Sequence, residues 1–237
     1  MRITLVRSAT VIVELAGNRI LVDPMLDDVG ARPPIEQTRN PVANPTVPLP
    51  FPAEEVVRGL DAVIVTHRHR DHLDARAEEL LPHDVPVFCQ PEDEQALREL
   101  GLDARPVADA LTWDGLTITR TPARHGSGHI AELLAPVSGF VLGDLYLAGD
   151  TVWYEEVELT IERHRPRVAV VNAGGAEFVE GGLIVMGADD VREVVERVPV
   201  VVAVHMEALN HCFLERALLA AAVPEVVIPR DGETVEV

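Results

Sequence analysis

Lysine is absent from the sequence, so every permanent side-chain cation is an arginine. Acidic residues outnumber arginines 39 to 20, and the formal net charge is −19. Such a chain lacks the basic face that displaces counterions from a nucleic acid, and anionic membrane surfaces repel it. Neither partner is expected. Aromatic residues make up only 4% of the chain, so any core must be aliphatic. The two cysteines, Cys89 and Cys212, are too few for a disulfide framework. No apolar run reaches membrane-spanning length, and the opening MRITLVRSATVIVEL alternates like a strand, not like a secretion signal. A reduced, cytoplasmic setting is the expectation.

Val, Ala and Leu dominate a chain that is 47% hydrophobic over 237 residues. That is enough to bury one sizeable core, taken here as one domain over 1–237. ITLVRS, TVIVELA and RILVD read as consecutive short strands. From Met25 to Pro52 the pattern breaks: seven prolines fall in a stretch without helical or strand period. A loop of that length covers a site, links two units or is a disordered insert. Beyond it, strands alternate with helices: DAVIVT and VPVFC as strands, EDEQALREL as a helix. The second half repeats the plan with LTITRT, SGFVL and LYLAG, then RVAVVNAG and VVVAVH, separated by the helical VWYEEVELTIERH and ADDVREVVERV. ERALLAAA reads as a last helix and PEVVIP as a last strand. Two sheets packed face to face, with helices outside, fit this order.

Polar residues recur where strands end: Asp23 after RILV, His67 after DAVIVT, His125 in TPARHG, Asp150 after LYLAG and His205 after VVVAV. One such histidine is usually a surface loop residue; several together suggest one polar site at one rim of the sheets. THRHRDHLD (66–74) is the densest part. His67 and His69 can turn to one ion, and Asp71 and His72 to a second beside it, a donor set suited to zinc and its neighbours.

THRHRDH resembles the HxHxDH motif of the metallo-β-lactamase fold superfamily, and the ordered set Asp23, HxHxDH, His125, Asp150 and His205 strengthens the resemblance. It implies an α+β fold, a four-layer αβ/βα sandwich with the metal site at the sheet rim. It further implies that His67, His69 and His125 hold a first metal, Asp71, His72 and His205 a second, with Asp150 bridging. Asp23 would orient a ligand histidine from behind.

Asp150 stands where antibiotic-hydrolysing lactamases have cysteine, and HxHxDH differs from the HxExD of the diiron branch. ILVDPML, AGDTVWY, NAGGA and HMEALNHC resemble the L-ascorbate-6-phosphate lactonase-like branch. That implies a metal-dependent hydrolase of a small ester, lactone or phosphodiester, using one or two divalent transition metals: zinc first, with manganese, iron or nickel as alternatives. A non-catalytic metal sensor and a nuclease are the competing readings. Metal-bound water would be the nucleophile. Asp71 is the candidate general base and His211 the candidate proton donor, with His129 as the alternative. Arg120 and Arg124 are candidates for holding a substrate anion, Trp153 and Tyr154 for lining the pocket, and Glu207 for supporting His205. A small-molecule substrate is expected, and a homo-oligomer remains open.

Overall fold

The computed structural model describes residues 1–237. Its first sheet contains β1 (Arg2–Arg7), β2 (Thr10–Leu15), β3 (Asn18–Val22), β4 (Ala62–Val65), β5 (Pro86–Cys89), β6 (Asp103–Pro106) and β13 (Thr234–Glu236), in the order β13-β1-β2-β3-β4-β5-β6. The second contains β7 (Ala110–Trp113), β8 (Leu116–Pro122), β9 (Ser138–Leu142), β10 (Leu145–Leu147), β11 (Val168–Asn172) and β12 (Val200–Val204), in the order β12-β11-β10-β9-β8-β7. Each sheet opens with antiparallel hairpins and then turns parallel: β3 to β6 in one, β10 to β12 in the other.

The layering follows from the two-residue period of a strand. Ile20 and Val22 of β3, Ala62 and Ile64 of β4, Val168 and Val170 of β11 and Val202 and Val204 of β12 all meet in one cluster between the sheets. The alternate residues face outward. Leu21, Val63 and Val65 pack under α1 (Ala53–Val56), α2 (Ala75–Leu80) and α3 (Glu94–Glu99). Tyr146, Ala169, Val171, Val201 and Ala203 pack under α5 (Glu155–His164), α6 (Ala188–Val195) and α7 (Arg216–Ala222). Strands buried on both faces read as unbroken apolar runs, as DAVIVT and VVVAV do. The result is the expected α+β sandwich of four layers.

One expected strand does not form, and a helix that was not expected does. PEVVIP forms no strand; Val227 alone bridges Val202, because Pro224 and Pro229 bracket the segment and lack the N–H that would extend the ladder. The chain returns instead as β13 along β1. A short helix, α4 (Gly128–Leu134), follows His125 and buries none of its residues fully.

The proline-rich segment is neither a linker nor disordered. Arg7, fully buried, donates to the carbonyls of Met25, Asp27 and Val47 and so closes the segment on itself. Asn44 donates to Asn210 Oδ1 at 2.7 Å, and the Asn210 amide donates to Ile35 O, Thr38 Oγ1 and Asn40 O. Thr46 bonds to Ala208 O and Glu207 O. The segment is thus a strap fastened to residues 207–210. Arg7→Met is expected to cost about 3 kcal/mol, since it leaves three buried carbonyls without their charged donor. Urea unfolding measures the loss, and limited proteolysis should cut within 26–47 in the variant before any other region.

Candidate metal centre

THRHRDHLD folds into a tight turn at the end of β4. The His69 carbonyl accepts from the N–H groups of His72 and Leu73, which brings Asp71 and His72 back beside His67. Leu73 plugs into the core, and Asp74 caps α2 by accepting from Ala77 N–H. Asp150 arrives just beyond β10, His125 beyond β8 and His205 beyond β12. His205 sits in the left-handed region at φ 63°, with its N–H bonded to Ser8 O. That turn needs Gly174 beneath it, because a Cβ there would lie 2.1 Å from the His205 carbonyl oxygen.

The side chains meet in two groups, His67/His69/His125 and Asp71/His72/Asp150/His205; within each, the candidate ligand atoms all lie within 4.8 Å of one another. Asp150 Oδ2 is 3.2 Å from His72 Nε2, 3.3 Å from His125 Nε2 and 4.0 Å from His67 Nε2. Asp150 Oδ1 is 3.7 Å from His205 Nε2, which lies 3.5 Å from Asp71 Oδ2. Two ligands on a tetrahedral ion at 2.0–2.1 Å are separated by about 3.3 Å, so these spacings suit donors around metal ions. The polar inventory agrees. His72 Nε2 and His205 Nε2 are fully buried, point at carboxylates and have no hydrogen-bonding partner. Buried polar atoms are rarely left so, and a divalent cation would satisfy both. The residues present fit one or two such ions.

Groups behind the donors fix their orientation. Asp23 accepts from Thr66 N–H at 2.7 Å and Thr66 Oγ1 at 2.8 Å, and its Oδ2 lies 2.8 Å from His72 Nδ1. His125 Nδ1 donates to Ile184 O at 2.7 Å. Both contacts leave Nε2 free to face an ion. Asn172, at the end of β11, donates to Asp150 Oδ1 at 2.6 Å. Cys212 had no assigned role, yet its Sγ lies 3.5 Å from His205 Nδ1. Only the known preference of ligand histidines for a partner on the second nitrogen could have pointed to it.

The electrostatics are those of a buried charge cluster. Burial opposes ionisation of Asp150, but His72, His205 and His125 outweigh it and hold the carboxyl well below its usual range. Asp71 behaves likewise, with His72 and His205 overcoming burial. Burial, helped by His72 and His69, keeps His67 neutral, and burial also lowers His69. His72 goes the other way: burial disfavours its charge, yet Asp150, Asp23 and Asp71 raise it to about 10. His205 also rises against burial, chiefly through Asp150.

His211 is buried, with its ring centroid 6.4 Å from that of His205; burial lowers its pKa to about 4, so it is neutral at pH 7. His129 is not at the site: it lies on exposed α4 beside Glu132. Arg120 is turned to Ala108 O and Glu92, and Arg124 stacks on Tyr154. Trp153 lies under Arg197 and contributes to the outer core. Glu207 turns away to Arg216. Arg70 pairs with Glu78, and half-buried Arg68 faces the acidic Asp93.

Asp23→Asn is expected to weaken metal binding by about 10- to 100-fold through loss of the carboxylate behind His72; competition with a chromogenic chelator measures it. Cys212→Ala should weaken binding more than Cys212→Ser. Because the ion-free protein keeps His72 protonated up to about pH 10, and His205 well above its usual range, metal entering the second group at pH 7 must displace protons. Calorimetry in two buffers of different ionisation enthalpy should report close to two protons released per ion there, with affinity rising with pH.

Residues 18–207 match the family model described as the beta-lactamase superfamily domain. A UPF0173 protein of Bacillus subtilis, YddR, is 36% identical, with 99% of each chain covered. A UPF0173 metal-dependent hydrolase of Methanocaldococcus jannaschii is 30% identical over 82% of this chain and 90% of its own. The crystal structure of an isothiocyanate hydrolase from Delia radicum gut bacteria superposes with a TM-score of 0.92 at 35% identity, covering 100% of this chain and 99% of that one. The sandwich is therefore of the metallo-β-lactamase type, and the chain belongs to the UPF0173 metal-dependent hydrolase family of the beta-lactamase superfamily.

Proposed function

We propose that the seven donors form a one- or two-metal hydrolytic centre acting on a small electrophilic substrate. His67, His69 and His125 hold one divalent ion; Asp71, His72 and His205 hold the other, and Asp150 is shared. The observation that carries this reading is the pair of buried donor groups, each within 4.8 Å, meeting at Asp150. Zinc is the leading ion, and manganese, iron and nickel accept the same donors. The bound metal supplies Lewis acidity and a water acidic enough to act near pH 7.

The remaining steps fall to the protein. Asp71, held ionised, orients the attacking water and accepts its proton when the second position is empty. Asp23 and Asn172 keep His72 and Asp150 in place while charge moves through the centre. His211, being neutral, donates a hydrogen bond to negative charge developing on the substrate and does not act as a strong acid. His69 is half-exposed and the other first-group histidines are buried, so the donor set opens to solvent on one side. That opening favours a reaction over closed metal storage. The charge of −19 without lysine speaks against a nuclease.

The electrophile is an ester or lactone carbonyl, a phosphodiester or the isothiocyanate carbon that the Delia radicum gut bacterial relative is named for. The L-ascorbate-6-phosphate lactonase-like placement belongs to this same reading and rests on ILVDPML, AGDTVWY and HMEALNHC. Metal content and turnover on all four substrate classes test it. Hydrolysis of at least one class should vanish in His67→Ala and return only with the wild-type residue. His211→Ala should lower kcat by about 10- to 1,000-fold, within the range of a single donor to a developing anion. Tight metal binding with no turnover of any class would overturn the proposal.

A further inference from the structure

An apolar lip stands beside the metal centre. The hairpin from Ala176 to Ile184 is rooted between two candidate site histidines: the Ile184 carbonyl accepts from His125 Nδ1 at 2.7 Å, and Glu177 N–H donates to His211 O at 3.1 Å. Its outer part carries Val179, 64% exposed, and Leu183, 39% exposed. Helix α4 begins three residues after His125 and lies against this hairpin; an added Cβ on Gly181 would touch Ile130 at 2.7 Å, and one on Gly126 would meet both Ile130 and Ile184 at 3.2 Å. The same helix presents Leu133, 64% exposed. Ile130, Leu134 and Phe178 are half-buried beneath them. Three of the chain's seven exposed large hydrophobic residues therefore sit on two short segments next to one metal ligand. Apolar side chains left in water at a site's edge mark a binding surface.

The charges around the lip disfavour an anionic ligand. Arg39 is paired with Glu177 and stacked on Phe213, and Arg124 is stacked on Tyr154. Both arginines are thus already engaged with aromatic rings, and the acidic chain, at a net charge of −19, repels anions. From the lip and its charges we infer that the substrate is a neutral electrophile bearing an apolar alkyl or aryl group, and that this group packs on Leu133, Val179 and Leu183 while the electrophilic atom reaches the metals. The inference rests on the hydrolase reading above and narrows its substrate class.

The test uses the metal-loaded protein and two homologous series: methyl, butyl and hexyl isothiocyanate, and p-nitrophenyl acetate, butyrate and hexanoate. A wild-type kcat/KM that climbs with chain length in a series, by up to about fourfold per methylene that becomes fully buried, supports the inference. In the double variant Leu133→Asp/Val179→Asp the climb should flatten, while the shortest member stays within about threefold of wild type. Circular dichroism and metal content confirm that the variant is folded and loaded, and Leu133→Met/Val179→Met should retain the climb. Turnover of the short members without any dependence on chain length overturns the inference and leaves the hydrolase reading standing. An unchanged climb in the aspartate variant, together with a change in oligomeric state on size exclusion, also overturns it and assigns the lip to self-association. Absence of turnover throughout both series, with a phosphodiester hydrolysed instead, overturns the inference alone; absence of all turnover removes both.

Discussion

Asp150 carries a negative charge at a place almost without water, 1% exposed, with four imidazoles within 4.0 Å of its carboxylate. Burying an unpaired carboxylate costs several kcal/mol, so this side chain obliges its surroundings to supply positive charge. In the ion-free protein His72 and His205 supply it by holding protons. A divalent cation supplies it more compactly, since it also satisfies the two Nε2 atoms that are otherwise unpartnered. The remaining polar groups make sense from that requirement. Asn172 anchors one carboxylate oxygen, Asp23 fixes His72, the Ile184 carbonyl fixes His125 and Cys212 backs His205. The two groups of donors are unequal, however. His67 and His69 are already driven toward neutrality and need lose no proton to bind a metal, whereas the group around Asp71 must exchange protons for its ion. At neutral pH the physics favours filling the three-histidine position first.

The sandwich makes this concentration of charge affordable by placing it where strands stop. β4, β10, β11 and β12 are buried on both faces and contribute apolar side chains to the clusters on either side of their sheets. Asp150, His67 and His205 appear only after the last ladder pairs of their strands. Parallel pairing of β10, β11 and β12 puts the ends of those strands at one edge, and the same direction of β3 and β4 brings Asp23 alongside the His-rich turn. The cores are thus kept free of unpaired charge, and the polar residues share one rim.

Much of this was legible because the two signals involved are strong and local. Strands buried on both faces leave long β-branched runs, so the two sheets and their outer helices could be read from RILVD, DAVIVT, RVAVVNAG and VVVAVH. An Asp or His at each run's end, together with the family resemblance that HxHxDH carries, pointed to the residues that the fold brings together at the rim. What stayed hidden depends on contacts distant in sequence. Nothing in NAGGA tells that Asn172 will bond Asp150, 22 residues away. HMEALNHC does not reveal that Cys212 backs His205, that Asn210 fastens the strap 166 residues earlier at Asn44, or that Glu207 turns away to Arg216. PEVVIP has strand composition, but its flanking prolines cannot complete a ladder. The short α4 was missed because GSGHIAELL opens with two glycines and buries no residue fully, leaving no apolar period to read.

The rim loops divide the work differently from the donors. The strap is held by buried, specific bonds through Arg7, Asn44 and Asn210, and it clamps the segment that carries His205 and His211. A loop fastened in this way costs entropy to order, and that cost is met by directional hydrogen bonds, so its geometry is fixed before any ligand arrives. The hairpin after Ala176 is tied at its root and, through Val179 N–H, to Gln37 O of the strap, yet Val179 and Leu183 face solvent. α4 has still fewer buried contacts. A rigid metal centre thus sits between a rigid strap and a lip whose apolar surface is not consumed by the fold. Substitutions on the lip can alter what binds without disturbing Asp150 and its imidazoles. Substitutions at Arg7 or Asn210 loosen the strap that seats His205. On the proposed reading, the capacity for chemistry and the choice of substrate are carried by different residues on the same rim.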